Sequence, residues 1–183
     1  MSANFWQSSH YQQWLFDKND LLRLRQQDIS TLGEDDYQKV LYFYSLFVQS
    51  LAKQMHMRQQ VAATAQVYIR RFYCVHPLRS IDPLLLSVTA LCLAAKVEEF
   101  CLYQANRMIT AAQNLVSQSY KHVWPNFPHT AHLLGTCEFY LLEAMDCCLI
   151  IYHPYRPLQI YANEMGVTSN PEFVSITRFF FHF

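Results

Sequence analysis

Apolar residues recur at steps of three and four along most of the chain, the spacing that lines one face of an α-helix. From Glu34 onward, Tyr37, Val40, Leu41, Tyr44, Phe47, Val48 and Leu51 keep that rhythm and predict a long helix. Thr31 and Glu34, with Gly33 between them, have capping-box spacing at its start. Val61, Ala65, Tyr68, Ile69 and Phe72 predict a second stripe from about Arg58 to Cys74, which Pro77 stops. Asp82 and Pro83 then read as N-cap and first helical residue of LLLSVTALCLAAKV, which is apolar on nearly every side. A helix apolar all round is surrounded by other helices, so this one is the predicted hub of an all-α bundle.

Two further helices follow. Met108, Ile109, Ala112, Leu115 and Val116 place one at about Gln104 to Ser117, and WPNFP breaks the chain at Trp124 to Pro128. Leu134, Cys137, Leu141, Met145 and Cys148 place the next at about Thr130 to Ile150. Ahead of the bundle, Ser8 or Ser9 caps a surface helix with Tyr11, Trp14, Leu15 and Leu22 on one side. Phe5 and Trp6 sit in a polar arm before it. After the bundle, HPYRP reads as a stiff linker, Leu158 to Met165 as a short helix, and FVSITRFFFHF as an apolar tail. The expected organisation is residues 1–33 as arm and surface helix, 34–152 as the bundle, and 153–183 as linker and unfinished fragment. The apolar tail, uncovered, is expected to promote self-association.

Composition sharpens this picture. Hydrophobic residues make up 52% and charged residues 15% of the 183, which excludes a disordered chain. The 3 glycines, where average usage gives roughly a dozen, favour helices over tight turns. Fourteen basic and 14 acidic residues cancel, so no basic excess points to direct nucleic-acid binding. No apolar run reaches the ~20 residues of a membrane helix, and the N-terminus lacks the pattern of a secretory signal. The 6 cysteines form no C-x-x-C pair and read as free thiols, most of them in apolar helical patterns.

Candidate chemistry is mostly absent. No glycine-rich phosphate loop or H-E-x-x-H motif occurs, so no cofactor, metal or active site is expected. His129 and His132 read as capping or solvent-facing, and the neighbouring Glu98 and Glu99 as a solvated helix end. Lys96 and Glu138 differ from the other charges. Lys96 shares its helix face with Cys92, Leu93 and Phe100, and Glu138 shares its own with Leu134, Leu141, Leu142 and Met145. A charge among apolar neighbours either pairs with something or snorkels to water, and spacing alone leaves both readings open. Trp6 has two readings as well: it pins the arm onto the bundle, or it is an exposed anchor for a partner.

LAAKVEE, followed about forty residues later by CEFYLLEAMDCCL, resembles the cyclin box, a five-helix bundle around a buried third helix. NFWQSSHYQQWL, RSIDPLLL, KVEEF and CEFYLLEAMDCCLIIYHPYRPL are most similar to the branch of the cyclin family that serves the Mediator kinase module. This resemblance extends to about residue 165. It implies a non-catalytic, nuclear regulatory subunit with no cofactor, controlling RNA polymerase II transcription. Its implied partners are a cyclin-dependent serine/threonine kinase and a large subunit of the same module, with no direct contact to nucleic acid or membrane. It also implies that Lys96 and Glu138 face the kinase's mobile regulatory helix, with Glu99 and Leu142 beside them. Trp6 would then serve the other partner. Cell-cycle cyclins dock substrates on an M-R-A-I-L motif in the first box helix; YQKVLYFY stands there in this chain, so substrate recruitment is not implied. The family carries two five-helix repeats, and residues 153–183 are expected to be a fragment of the second. The residues themselves also admit a promoter-binding factor of the same fold, or an unrelated helical scaffold.

Overall fold

The computed structural model describes residues 4–100 and 105–167, and every regular element among them is a helix. The described residues divide into two compact units, one through Ile151 and one from Tyr152 onward. Cys101 and the apolar tail from Phe173 lie outside the described residues.

The first unit opens with a 3-10 turn at Phe5–Gln7 and short helices α1 (Ser9–Gln13), α2 (Lys18–Leu24) and α3 (Gln26–Leu32). The single surface helix expected through Leu22 is therefore broken between Gln13 and Lys18, and α3 follows as a further short helix. Ser8 does cap α1, accepting from the Tyr11 N–H at 3.3 Å. After Gln13 the chain turns away, so Trp14 packs on the core while Tyr11 and Leu15 stay exposed. Thr31 is also not a cap: it lies inside α3, and its hydroxyl donates to the Gln27 carbonyl. Gly33, at φ +84°, makes the turn that starts the next helix instead.

The bundle consists of α4 (Glu34–Gln54), α5 (Gln59–Val75), α6 (Pro83–Val97), α7 (Ala105–Ser119) and α8 (Ala131–Ala144). Helix α6 is the hub, packed by α4, α5, α7 and α8. Every residue from Leu84 to Ala95 is buried. Its two internal hydroxyls do not break the apolar environment, because Ser87 donates to the Pro83 carbonyl and Thr89 to that of Leu85. Asp82 caps α6 through the Leu84 N–H at 3.0 Å and also meets His129 Nε2 at 2.7 Å. His129 is thus neither a cap nor solvent-facing; it ties the start of the hub to the approach of α8. Trp124, in the expected chain break, packs its ring on Phe43, Tyr44, Phe47 and Tyr120 and covers the middle of α4.

The scarcity of glycine has a structural counterpart at the helix C-termini. Helices α4, α6 and α8 each end in a Schellman turn whose left-handed position holds His56, Glu99 or Asp146, at φ +54°, +49° and +48°. A side chain in this region costs roughly 1–2 kcal/mol. Glycine there would cost ~0.5–1 kcal/mol in unfolded-chain entropy. Glu99→Gly is therefore expected to raise stability by about 0.5–1 kcal/mol, measured by urea unfolding.

Helix α8 ends at Ala144, short of the expected Ile150, because Asp146 and Cys147 both adopt positive φ. In the second unit, α9 (Tyr155–Glu164) begins earlier than expected. HPYRP is no separate linker: Pro154 is the N-cap and Pro157 sits in the first turn, where a missing N–H breaks no helical bond. No described helix is long and apolar enough to cross a membrane.

Candidate functional site

Lys96 lies in the last turn of α6, where the hub emerges from the core, and Glu138 lies midway along α8 against it. Their side chains meet. Lys96 Nζ donates to both carboxylate oxygens of Glu138, at 2.6 and 2.7 Å. The lysine is 39% exposed and the glutamate 18%, so the pair sits at the edge of water rather than inside the bundle. The helix C-terminus favours the ammonium, and the carboxylate then fixes one geometry for it. Of the two readings left open above, pairing is the one realised.

The residues around the pair are arranged by the same two helices. Leu142, one turn along α8 from Glu138, is half-buried against the core. Phe139, immediately after Glu138, is 76% exposed. A large ring thus stands in water one residue along α8 from the ordered ion pair. Sequence periodicity gave no warning of it, since an outward aromatic sits between the helical stripe positions.

Glu98 and Glu99 diverge sharply. Glu98 is not a solvated helix end: it accepts from Thr64 Oγ1 at 2.6 Å and Gln60 Nε2 at 2.7 Å, binding the end of α6 to α5. Glu99 takes the strained left-handed position and is exposed, and its side chain makes no hydrogen bond or ion pair among the described residues. The left-handed backbone there belongs to the Schellman turn that ends α6. Trp6 is separate from the pair. It is 65% exposed, and its ring contacts Phe5 and Tyr11.

Sequence reasoning missed Arg71. This residue is only 5% exposed. Its guanidinium lies 4.7 Å over the Trp14 ring, and Nη1 donates to the Cys148 carbonyl at 2.8 Å. Burial pushes its pKa down to about 10, so it stays charged at neutral pH and holds both α1 and the turn after α8 to the bundle. The described cysteines are free; Cys74, Cys92 and Cys137 are buried, and burial raises the Cys92 and Cys137 thiol pKa values. No cluster of potential metal ligands occurs among the described residues.

A family model described as the cyclin N-terminal domain matches residues 12–150. The chain belongs to the cyclin family. This cyclin is 50% identical to Cyclin-C of Drosophila melanogaster over 91% of its own length, and 46% identical to Cyclin-C of Rattus norvegicus. It spans 62% of the length of the former and 58% of the latter. Among solved structures it is similar to a chain of the yeast TFIIK complex of Kin28, Ccl1 and Tfb3. The TM-score there is 0.67 at 25% identity, covering 86% of this chain and 62% of that one. A chain of the CAK complex from Chaetomium thermophilum bound to ATP-gamma-S shares the fold, with a TM-score of 0.67 at 17% identity, over 91% of this chain and 54% of that one.

Proposed function

We propose that this cyclin is the regulatory subunit of a cyclin-dependent serine/threonine kinase of the Mediator complex, and that it acts in the nucleus on RNA polymerase II transcription. The observation that carries this reading is the ordered Lys96–Glu138 pair beside the exposed Phe139. A protein kinase becomes active when its regulatory helix swings inward and completes a Lys–Glu pair over the ATP phosphates. A cyclin shifts that equilibrium only by binding the inward state better than the outward one. The pair presents a fixed cation and anion to the backbone and polar groups of such a helix, while Phe139 and Leu142 supply apolar contact. Glu99, strained and with no side-chain partner among the described residues, extends the same surface. The chain contributes positioning and no catalytic group. Similarity to Cyclin-C supports the Mediator assignment, and the net charge of zero weighs against a promoter-binding role.

Affinity purification of the tagged chain from nuclear extract, followed by kinase assay of the eluate, tests this reading. A co-purifying cyclin-dependent kinase and associated Mediator subunits are expected; an eluate free of kinase contradicts it. Trp6 is proposed as the anchor for the large Mediator subunit. Trp6→Ala is expected to reduce recovery of that subunit severalfold and to leave kinase recovery at the parental level. Equal loss of both partners would return Trp6 to a purely structural role.

A further inference from the structure

A cleft of about 1020 Å³ opens between the end of α1, the end of α5, the Ser80–Ile81 loop and the end of α8. Its floor and walls are apolar and aromatic, with Trp14, Phe72, Ile81 and Tyr140 prominent, and two carboxylates, Glu143 and Asp146, line one side. No lysine or arginine lines it. The C-terminal ends of α5 and α8 both reach it. The Arg71 guanidinium already covers one face of Trp14, so the acidic character of the cleft is confined to the side that Glu143 and Asp146 line, where a cation from another molecule would find its counter-charge.

We propose that this cleft docks a basic amphipathic segment of a second partner protein, which inserts apolar side chains between Trp14, Phe72 and Ile81 and sets a Lys or Arg against Glu143 and Asp146. The partner is one other than the subunit that covers Lys96 and Glu138. At ~100° per residue, Leu142 lies about 40° from Glu138 around α8, whereas Tyr140 and Ala144 lie about 200–240° away. The cleft is thus centred on the flank of α8 turned away from the ion pair, with Phe139, at about 100°, and Glu143, at about 140°, at the border between the two surfaces. The exposed ring of Tyr140 has the form of an interface anchor, apolar with a polar tip.

The test uses the full chain and two fluorescent probes: an amphipathic leucine–lysine peptide and its twin with glutamate for lysine, followed by polarisation. The lysine peptide is expected to bind at least tenfold more tightly than the glutamate peptide, and less tightly as salt rises. The double variant Glu143→Gln/Asp146→Asn is expected to lower its affinity at least tenfold. Removing the same number of charges elsewhere, in Asp20→Asn/Asp35→Asn, should leave the affinity at the parental value. Tyr140→Ala, at an exposed position that leaves the fold intact by circular dichroism, should weaken binding at least fivefold. Equal binding of the two peptides, or parental affinity in the Glu143→Gln/Asp146→Asn chain, overturns the proposal. So does a concentration-dependent dimer that Tyr140→Ala dissolves, because the occupant would then be a second copy of the chain.

Discussion

Leu91→Ala is expected to remove about 2–5 kcal/mol of stability, because it opens a cavity in the one helix that every other bundle helix touches. Leu91 is fully buried midway along α6, and α4, α5, α7 and α8 converge on that helix. The surrounding side chains cannot collapse from one direction without withdrawing from another, which places the cost toward the upper part of the range. Domains of this size are stable by only ~5–15 kcal/mol, so the loss is a large share of the whole. Leu15→Ala provides the contrast. That leucine is 56% exposed on the surface segment after α1, and its truncation should change stability by less than about 0.5 kcal/mol. Urea unfolding of both variants gives the comparison. A Leu91→Ala chain within 1 kcal/mol of the parent would mean that α6 is not the hub.

That contrast follows what the sequence makes legible. The hub was readable because LLLSVTALCLAAKV leaves no polar face to put in water, and Asp82–Pro83 announces its start. The interior helices were readable because their apolar stripes answer to one core. The surface segment was not. Tyr11, Trp14, Leu15 and Leu22 fit a helical stripe, yet Trp14 packs on the core while Tyr11 packs only on Phe5 and Trp6 of the arm and Leu15 is exposed, so no common surface holds residues 9–24 in one helix. The end of α8 was misjudged for a related reason. Cys148 continues the apolar rhythm, but Asp146 and Cys147 take left-handed turns that glycine would have signalled and these residues do not.

The site shows the same division. Lys96 and Glu138 stood out because each interrupts an apolar face, and their meeting required only that α6 and α8 pack together. Glu98 and Glu99 are adjacent and chemically identical, so their opposite fates, one hydrogen-bonded to α5 and one strained and exposed, depend on tertiary placement alone. Arg71 follows Arg70 on α5, and nothing local distinguishes a buried arginine stacked on Trp14 from a solvated one.

The largest functional effect is expected at the ion pair. Lys96→Ala and Glu138→Ala should each lower kinase affinity by about 2–5 kcal/mol, roughly thirty- to several-thousand-fold. Each truncation removes one charged contact and leaves its former partner to be desolvated alone at the interface. The free chain should lose less, about 1 kcal/mol, since the pair lies at the edge of water, the lysine 39% exposed and the glutamate 18%, and neither side chain fills the core. Unchanged helical content alongside weakened binding is the signature that separates an interface role from a structural one. Glu99→Gly adds a second separation, with affinity falling while stability rises.

Titration of the partner kinase against the parent chain, Lys96→Ala, Glu138→Ala and the double variant tests the central claim most directly. The account predicts two strongly weakened single variants and a double variant much less impaired than the sum of the two, because the residues act as one unit. Parental affinity in both single variants would place the kinase interface elsewhere and contradict the assignment of Lys96 and Glu138 to it.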